Sequence, residues 1–195
     1  MTNQYDDLPA LVKADGSQWW YRDGIQHRDG DHPAVIRRGG EEQVWIKHGR
    51  PCRDGDQPAV VKADMQIWYK NGRKGRDGDL PAKIWADGSQ FWYRDGLLHR
   101  EEDKPAFIYA TGELEQRWYR NGLLHRDGGR PAIIADNERQ QWWFEGYQIS
   151  RSYAMKIADR QRERIEKFIR DRLVPRLYDP RTKSGRNRMS LAYIL

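Results

Sequence analysis

The residue types that could do chemistry in this 195-residue chain recur at fixed intervals. His27, Cys52, His99 and His125 are zinc-type donors, and an arginine follows each of them. Arg28-Asp29-Gly30-Asp31 recurs at Arg53 to Asp56 and at Arg76 to Asp79. It has the acidity of a Ca²⁺ loop without the spaced ligands of one, so Arg–Asp contacts are the expected use. Trp20, Trp45, Trp68, Trp92, Trp118 and Trp143 form one series, with Arg22, Lys47, Lys70, Arg94 and Arg120 two residues after the first five. Such a mixture suits a partner-binding face or, less well, a platform for stacked bases. It also suits indoles that simply pack on their neighbours. His27-Arg28-Asp29 shares three letters with a kinase catalytic loop, but it recurs at His125 as part of the same series. There is no Gly-x-Ser-x-Gly, no Gly-Lys-Ser/Thr loop and no His-Glu-x-x-His, and the carboxylate pairs are periodic. No enzyme, metal or cofactor is expected.

What positions these residues is an internal repeat. Pro-Ala recurs at Pro9, Pro33, Pro58, Pro81, Pro105 and Pro131, a Trp follows each pair, and Asp-Gly or Asn-Gly follows most Trp. Each unit predicts two short strands. The first starts at Pro-Ala, where Ala82, Ile84 and Ala86 share a side. The second carries the Trp, as in Gln90-Phe91-Trp92-Tyr93-Arg94, with Phe and Tyr on one face and Gln, Trp and Arg on the other. Six units over residues 1–150 therefore predict a mainly β fold, a single-layer antiparallel meander of about twelve strands. Equivalent positions then lie roughly 9.5 Å apart, at about 4.8 Å per strand. Zinc donors must come within roughly 4 Å of one another, so the spaced His and Cys cannot share an ion and are expected to close loops by hydrogen bonding.

Trp118-Tyr119-Arg120-Asn121-Gly122-Leu123-Leu124-His125 resembles the core of a MORN repeat, with the aromatic, Asn-Gly and His at the same offsets. The stretches from Trp92 to His99 and from Trp20 to His27 are similar, and the likeness covers about three quarters of the chain. Arg28, Arg100 and Arg126 stand where the family usually has glycine, and the Pro-Ala element is additional. The chain thus resembles a divergent MORN-like variant, of a type found in bacterial antitoxin-like proteins and viral repeat proteins. The resemblance implies a hairpin-stacked sheet used for binding or scaffolding, and it brings no catalytic motif.

Charge divides the chain at the same place as the repeat. Residues 1–150 hold 22 Lys and Arg against 24 Asp and Glu, net −2; residues 151–195 hold 13 against 5, net +8. The second region predicts an amphipathic helix capped by Ser152 and running to about Leu173, with Ala154, Ile157, Ile165, Phe168 and Ile169 near one side. Arg160, Arg164, Lys167 and Arg170 alternate with acids at ion-pair spacing. A basic tail with Arg181, Lys183, Arg186 and Arg188 follows, suited to phosphate or to solvent.

A helix of about 20 residues, near 30 Å long, cannot cover a sheet about 55 Å wide. Rows such as Trp19/Tyr21, Ile67/Tyr69, Phe91/Tyr93 and Trp142/Phe144 are too apolar to stand wet. The expectation is a binding module for another protein or for a second copy of itself, an inhibitor or antitoxin type by resemblance. The alternative is a nucleic-acid accessory protein anchored by the tail. The single cysteine, the polar N-terminus and the lack of an apolar span suit a cytoplasmic location, with no membrane crossing.

Overall fold

The computed structural model describes residues 8–110, 114–135 and 139–173. Thirteen strands form one sheet in strict chain order: Leu11–Val12, Gln18–Trp19, Val35–Arg37, Glu42–Val44, Val60–Lys62, Met65–Ile67, Lys83–Trp85, Gln90–Phe91, Phe107–Tyr109, Glu115–Arg117, Ile133–Ala135, Arg139–Phe144 and Tyr147–Ile149. Every pairing is antiparallel. The meander is therefore as expected, but it is not the whole architecture. Tyr21–Arg22, Ile46–Lys47, Tyr69–Lys70, Tyr93–Arg94 and Tyr119–Arg120 leave the sheet and form separate two-stranded hairpins with the residues after the next turn.

Proline causes this departure. The Trp N–H of each unit donates to the Ala carbonyl of the next, as Trp92 does to Ala106 at 2.8 Å. The following residue, Tyr93, would then face Pro105, which has no N–H to give. The ladder stops, and the chain closes on itself through Asp95-Gly96. Both residues of that turn have positive φ, 51° and 84°, as a tight hairpin turn requires. Successive hairpins are stitched together: the amides of Gly96, Gly122 and Gly146 donate to Lys74, Leu98 and Leu124 carbonyls at 2.8–2.9 Å. At Gly122 a Cβ would lie 3.4 Å from Leu97, so glycine serves both the turn and the close stacking.

Cross-strand register sorts the sheet into rows. One row runs Trp19, Val35, Val44, Val60, Ile67, Lys83, Phe91, Phe107, Arg117 and Ile133. Val35, Val44, Val60 and Ile67 form the core with Ile46, and Tyr69 packs against it, so the hairpins lean over this face. The next row, on the opposite face, alternates aliphatic and amide from end to end: Ile36, Gln43, Val61, Gln66, Ile84, Gln90, Ile108, Gln116 and Ile134.

The helix α1, Arg151–Phe168, is capped by Ser150 rather than Ser152: the Ser150 hydroxyl accepts from the Tyr153 N–H at 3.2 Å. A five-residue π-helical turn, Ile169–Leu173, continues it. It seals the C-terminal end of the repeat array through its first turns only, with Ala154 buried and Met155 and Ala158 against Gly129. Gly129 replaces the second aspartate of earlier loops, and a Cβ there would meet Met155 Sδ at 2.7 Å, so the last unit is altered to receive the helix. Beyond that contact Ile165 and Phe168 are 60% and 53% exposed. The expected ion pairs along the helix are not formed among the described residues. Long exposed side chains lose more rotamer entropy than such a pair returns. No helix among the described residues is long and apolar enough to cross a membrane.

Candidate functional site

Two surfaces hold the residues singled out by sequence. On the face of the Ile/Gln row, Trp20, Trp45, Trp68, Trp92 and Trp118 alternate with alanines and are only 5–7% exposed. The alanines Ala34, Ala59, Ala82, Ala106 and Ala132 are wholly buried. A guanidinium lies over each indole: Arg28, Arg53, Arg76, Arg100 and Arg126 stand 3.7–4.1 Å from the ring centroids. The same arginines reach two other parts of the array. Arg100 grips Asp79 of the preceding loop with Nε and a terminal nitrogen, at 2.6 and 2.9 Å, and donates to the Pro105 carbonyl at 3.3 Å. Arg53, Arg76 and Arg126 hold Asp31, Asp56 and Asp103 in the same manner. Asp79 is held down to about 2 by the Arg100 fork, partial burial opposing and Lys104 assisting. These five indoles are thus packed beneath arginines and do not form an open face.

Trp143 differs from the other five. Glu145-Gly146 closes its hairpin, so Trp142 occupies the place of Trp118, and its indole N–H donates to the Gly129 carbonyl at 2.9 Å. One residue of slip moves a side chain to the other face of a strand. Trp142 and Phe144 are accordingly opposite to the expected apolar row, and Trp143 is in it, aligned with Tyr69, Tyr93 and Tyr119. Arg22, Arg94 and Arg120 lie on the outer side of the hairpins, half exposed and paired with Asp29, Glu101 and Asp127. Arg181, Lys183, Arg186 and Arg188 fall outside the described residues.

The second surface is the groove between the sheet and the overhanging hairpins. At its C-terminal end Tyr109, Arg117, Ile133, Leu124 and Trp143 line a cleft of about 580 Å³. Further along, Lys83 occupies a row otherwise filled by Val35, Val60, Phe107 and Ile133 from the matching strands. Its ammonium stands 4.4 Å from the Trp85 ring and 5.1 Å from Phe91, and Lys74 lies 5.5 Å from Tyr93. Among the described residues no carboxylate comes within ion-pair distance of Lys83 or Lys74; Lys62 is 3.4 Å from Glu42. Burial pushes the Lys83 ammonium below its usual pKa, and the like charges of Lys74 and Lys62 add to this against Asp64. Burial also raises the Tyr69 and Tyr93 phenols. Sequence reasoning did not single out Lys83. The signal was one charged residue at an otherwise apolar repeat position.

The histidines do close loops, but between units. Nδ1 of His27, His99 and His125 accepts the backbone N–H of His48, Asn121 and Glu145 at 3.0–3.1 Å. Nε2 lies 2.9–3.0 Å from Asp29, Glu101 and Asp127. Burial, aided by Arg22 and Arg120, lowers the pKa of His27 and His125 below the ordinary 6.5. The unfolded chain then takes up protons first, so their stabilisation is present above 6.5 and is lost as pH falls through the folded values. Thermal unfolding followed from pH 8 to 5 should show a falling midpoint, and His27→Gln/His125→Gln should flatten that fall. An unchanged slope in the double variant would remove the histidines as its cause.

No family model matches the chain, and the search of curated proteins returned no match.

Proposed function

We propose that this chain is a non-enzymatic binding module whose groove takes an acidic, extended segment of another protein. The observation that carries the reading is Lys83, a cation set among rings in the groove row with no carboxylate at ion-pair distance among the described residues. An acidic side chain entering there would relieve the repulsion of Lys83, Lys74 and Lys62 and leave the rings to cover its neighbours. From Lys83 to Ile133 the row spans about 19 Å at about 4.8 Å per strand, the length of roughly six extended residues. The half-buried Trp143 would be an apolar anchor at one end. An inhibitory or antitoxin-type role, and with it a bacterial or viral setting and a cytoplasmic location, rests on the MORN-like resemblance.

The test starts with affinity purification from the native cell. Lys83→Glu and Trp143→Ala should each lower recovery of the specific partner at least about tenfold while the unfolding midpoint stays near that of the parent. If both variants retain the partner, the groove is scaffold. A second reading has its own observation: residues 151–172 carry eight Lys and Arg against four Asp and Glu, none ion-paired among the described residues. Loss of binding on Arg181/Lys183/Arg186/Arg188→Ala, with a steep salt slope, would favour a nucleic-acid partner instead. A second copy of the chain as the groove's occupant would appear as concentration-dependent dimerisation abolished by Lys83→Glu.

A further inference from the structure

His27, Cys52, Gly75, His99 and His125 hold one equivalent position, each amide donating to the Trp carbonyl of its own unit. At His27 and His125 the imidazole is held by two fixed partners; at His99 Nδ1 accepts as theirs do, and Nε2 lies 3.0 Å from Glu101 without a hydrogen bond. The amide entering the next turn donates to Nδ1, which leaves the proton on Nε2, facing the carboxylate two residues on. At Gly75 the same two kinds of group line one cavity without a ring between them. Asp77 is the carboxylate two residues on, and it pairs with Lys70 as Glu101 pairs with Arg94. Asp95 enters the next turn with φ 51°, like Asn121 at 48°, and its amide has no partner among the described residues. Lys70, Asp77, Tyr93, Arg94 and Asp95 line a cavity of about 210 Å³. Glycine is not demanded by the backbone at position 75, because a Cβ would meet nothing nearer than 3.8 Å and φ is not positive.

We propose that this cavity in the third unit is a binding site for a neutral imidazole ring, one nitrogen accepting from the Asp95 amide and the other donating to Asp77. The ring could be a free azole or a histidine side chain of a partner; the chemistry recognised is the same. It shares Tyr93 and Lys74 with the groove, but its two polar contacts, the Asp77 carboxylate and the Asp95 amide, are not groove residues, so the proposal does not depend on the function assigned there.

The full chain is titrated with imidazole at pH 8, where the ring is neutral, and the Asp95 amide is followed by ¹⁵N–¹H NMR. A saturable downfield shift of Asp95 is expected. 1-Methylimidazole, which keeps the acceptor and lacks the donor, should bind at least about tenfold more weakly, and Asp77→Asn should weaken imidazole similarly. Gly75→His should fill the site from within, abolish the shift and raise the unfolding midpoint. Nα-acetylhistidine methylamide binding as well as imidazole would assign the ring to a partner's histidine, and imidazole binding alone to a free azole. An Asp95 amide that does not move, or one that still responds in Gly75→His, overturns the proposal; Asp77→Asn separates the two readings should Gly75→His fail to fold.

Discussion

Trp92→Ala is expected to lower the stability of the repeat domain by about 3–5 kcal/mol, the cost of removing a buried indole and leaving a cavity. Three attachments are lost with the ring. These are the contact with Arg100, the indole N–H to Asp79 carbonyl bond at 3.3 Å, and the cover over the neighbouring alanines. Arg100 would still grip Asp79 of the preceding loop, so the array should loosen between its fourth and fifth units, which Trp92 joins at Ala106, before it unfolds elsewhere. Denaturant unfolding measures the loss, and hydrogen exchange of the Ala106 and Gly122 amides locates it. Trp143→Ala is the internal comparison: half-buried in the groove wall, it should cost clearly less. Equal costs for the two indoles would refute the assignment of one to packing and the other to the groove.

The second large effect is expected at the alanines. Ala106 has no exposed surface and lies in a row between Trp92 and Trp118. Indoles recurring every second strand leave room for only a methyl between them, which explains why alanine follows each of these prolines. Ala106→Leu should therefore destabilise by about 1–3 kcal/mol through overpacking, despite its greater apolar surface. Ala106→Ser, nearly the same size, should cost less than Ala106→Leu. A leucine variant as stable as the parent would show that the row can widen, and the tight Trp–Ala alternation would no longer explain the Pro-Ala element.

Much of this architecture is legible in short-range patterns. Pro-Ala marks where each strand begins, Asp-Gly and Asn-Gly mark the turns, and the alternation in Gln90-Phe91-Trp92-Tyr93-Arg94 divides its faces correctly. The failures share one physical source. Glu145 in place of Asn or Asp hid the last turn, and a slip of one residue exchanged Trp142 for Trp143 and so exchanged the faces. Ser150 and Ser152 are equally good caps by type, and only the geometry of the first turn separates them.

Periodicity was sufficient to predict repeated hairpins, and residue counting gave the charge split of −2 against +8 across Ser150, because both are read from the sequence alone. The tertiary structure decided which rows are covered. Arg100 meets Asp79 and His99 meets Asn121 across 21 and 22 residues, contacts that exist only once adjacent units stack. Stacking buried the tryptophans beneath arginines and left the tyrosine row, Trp143 and Lys83 lining the groove. A side chain's exposure depends on which other repeat lies over it, and one repeat unit alone does not contain that information.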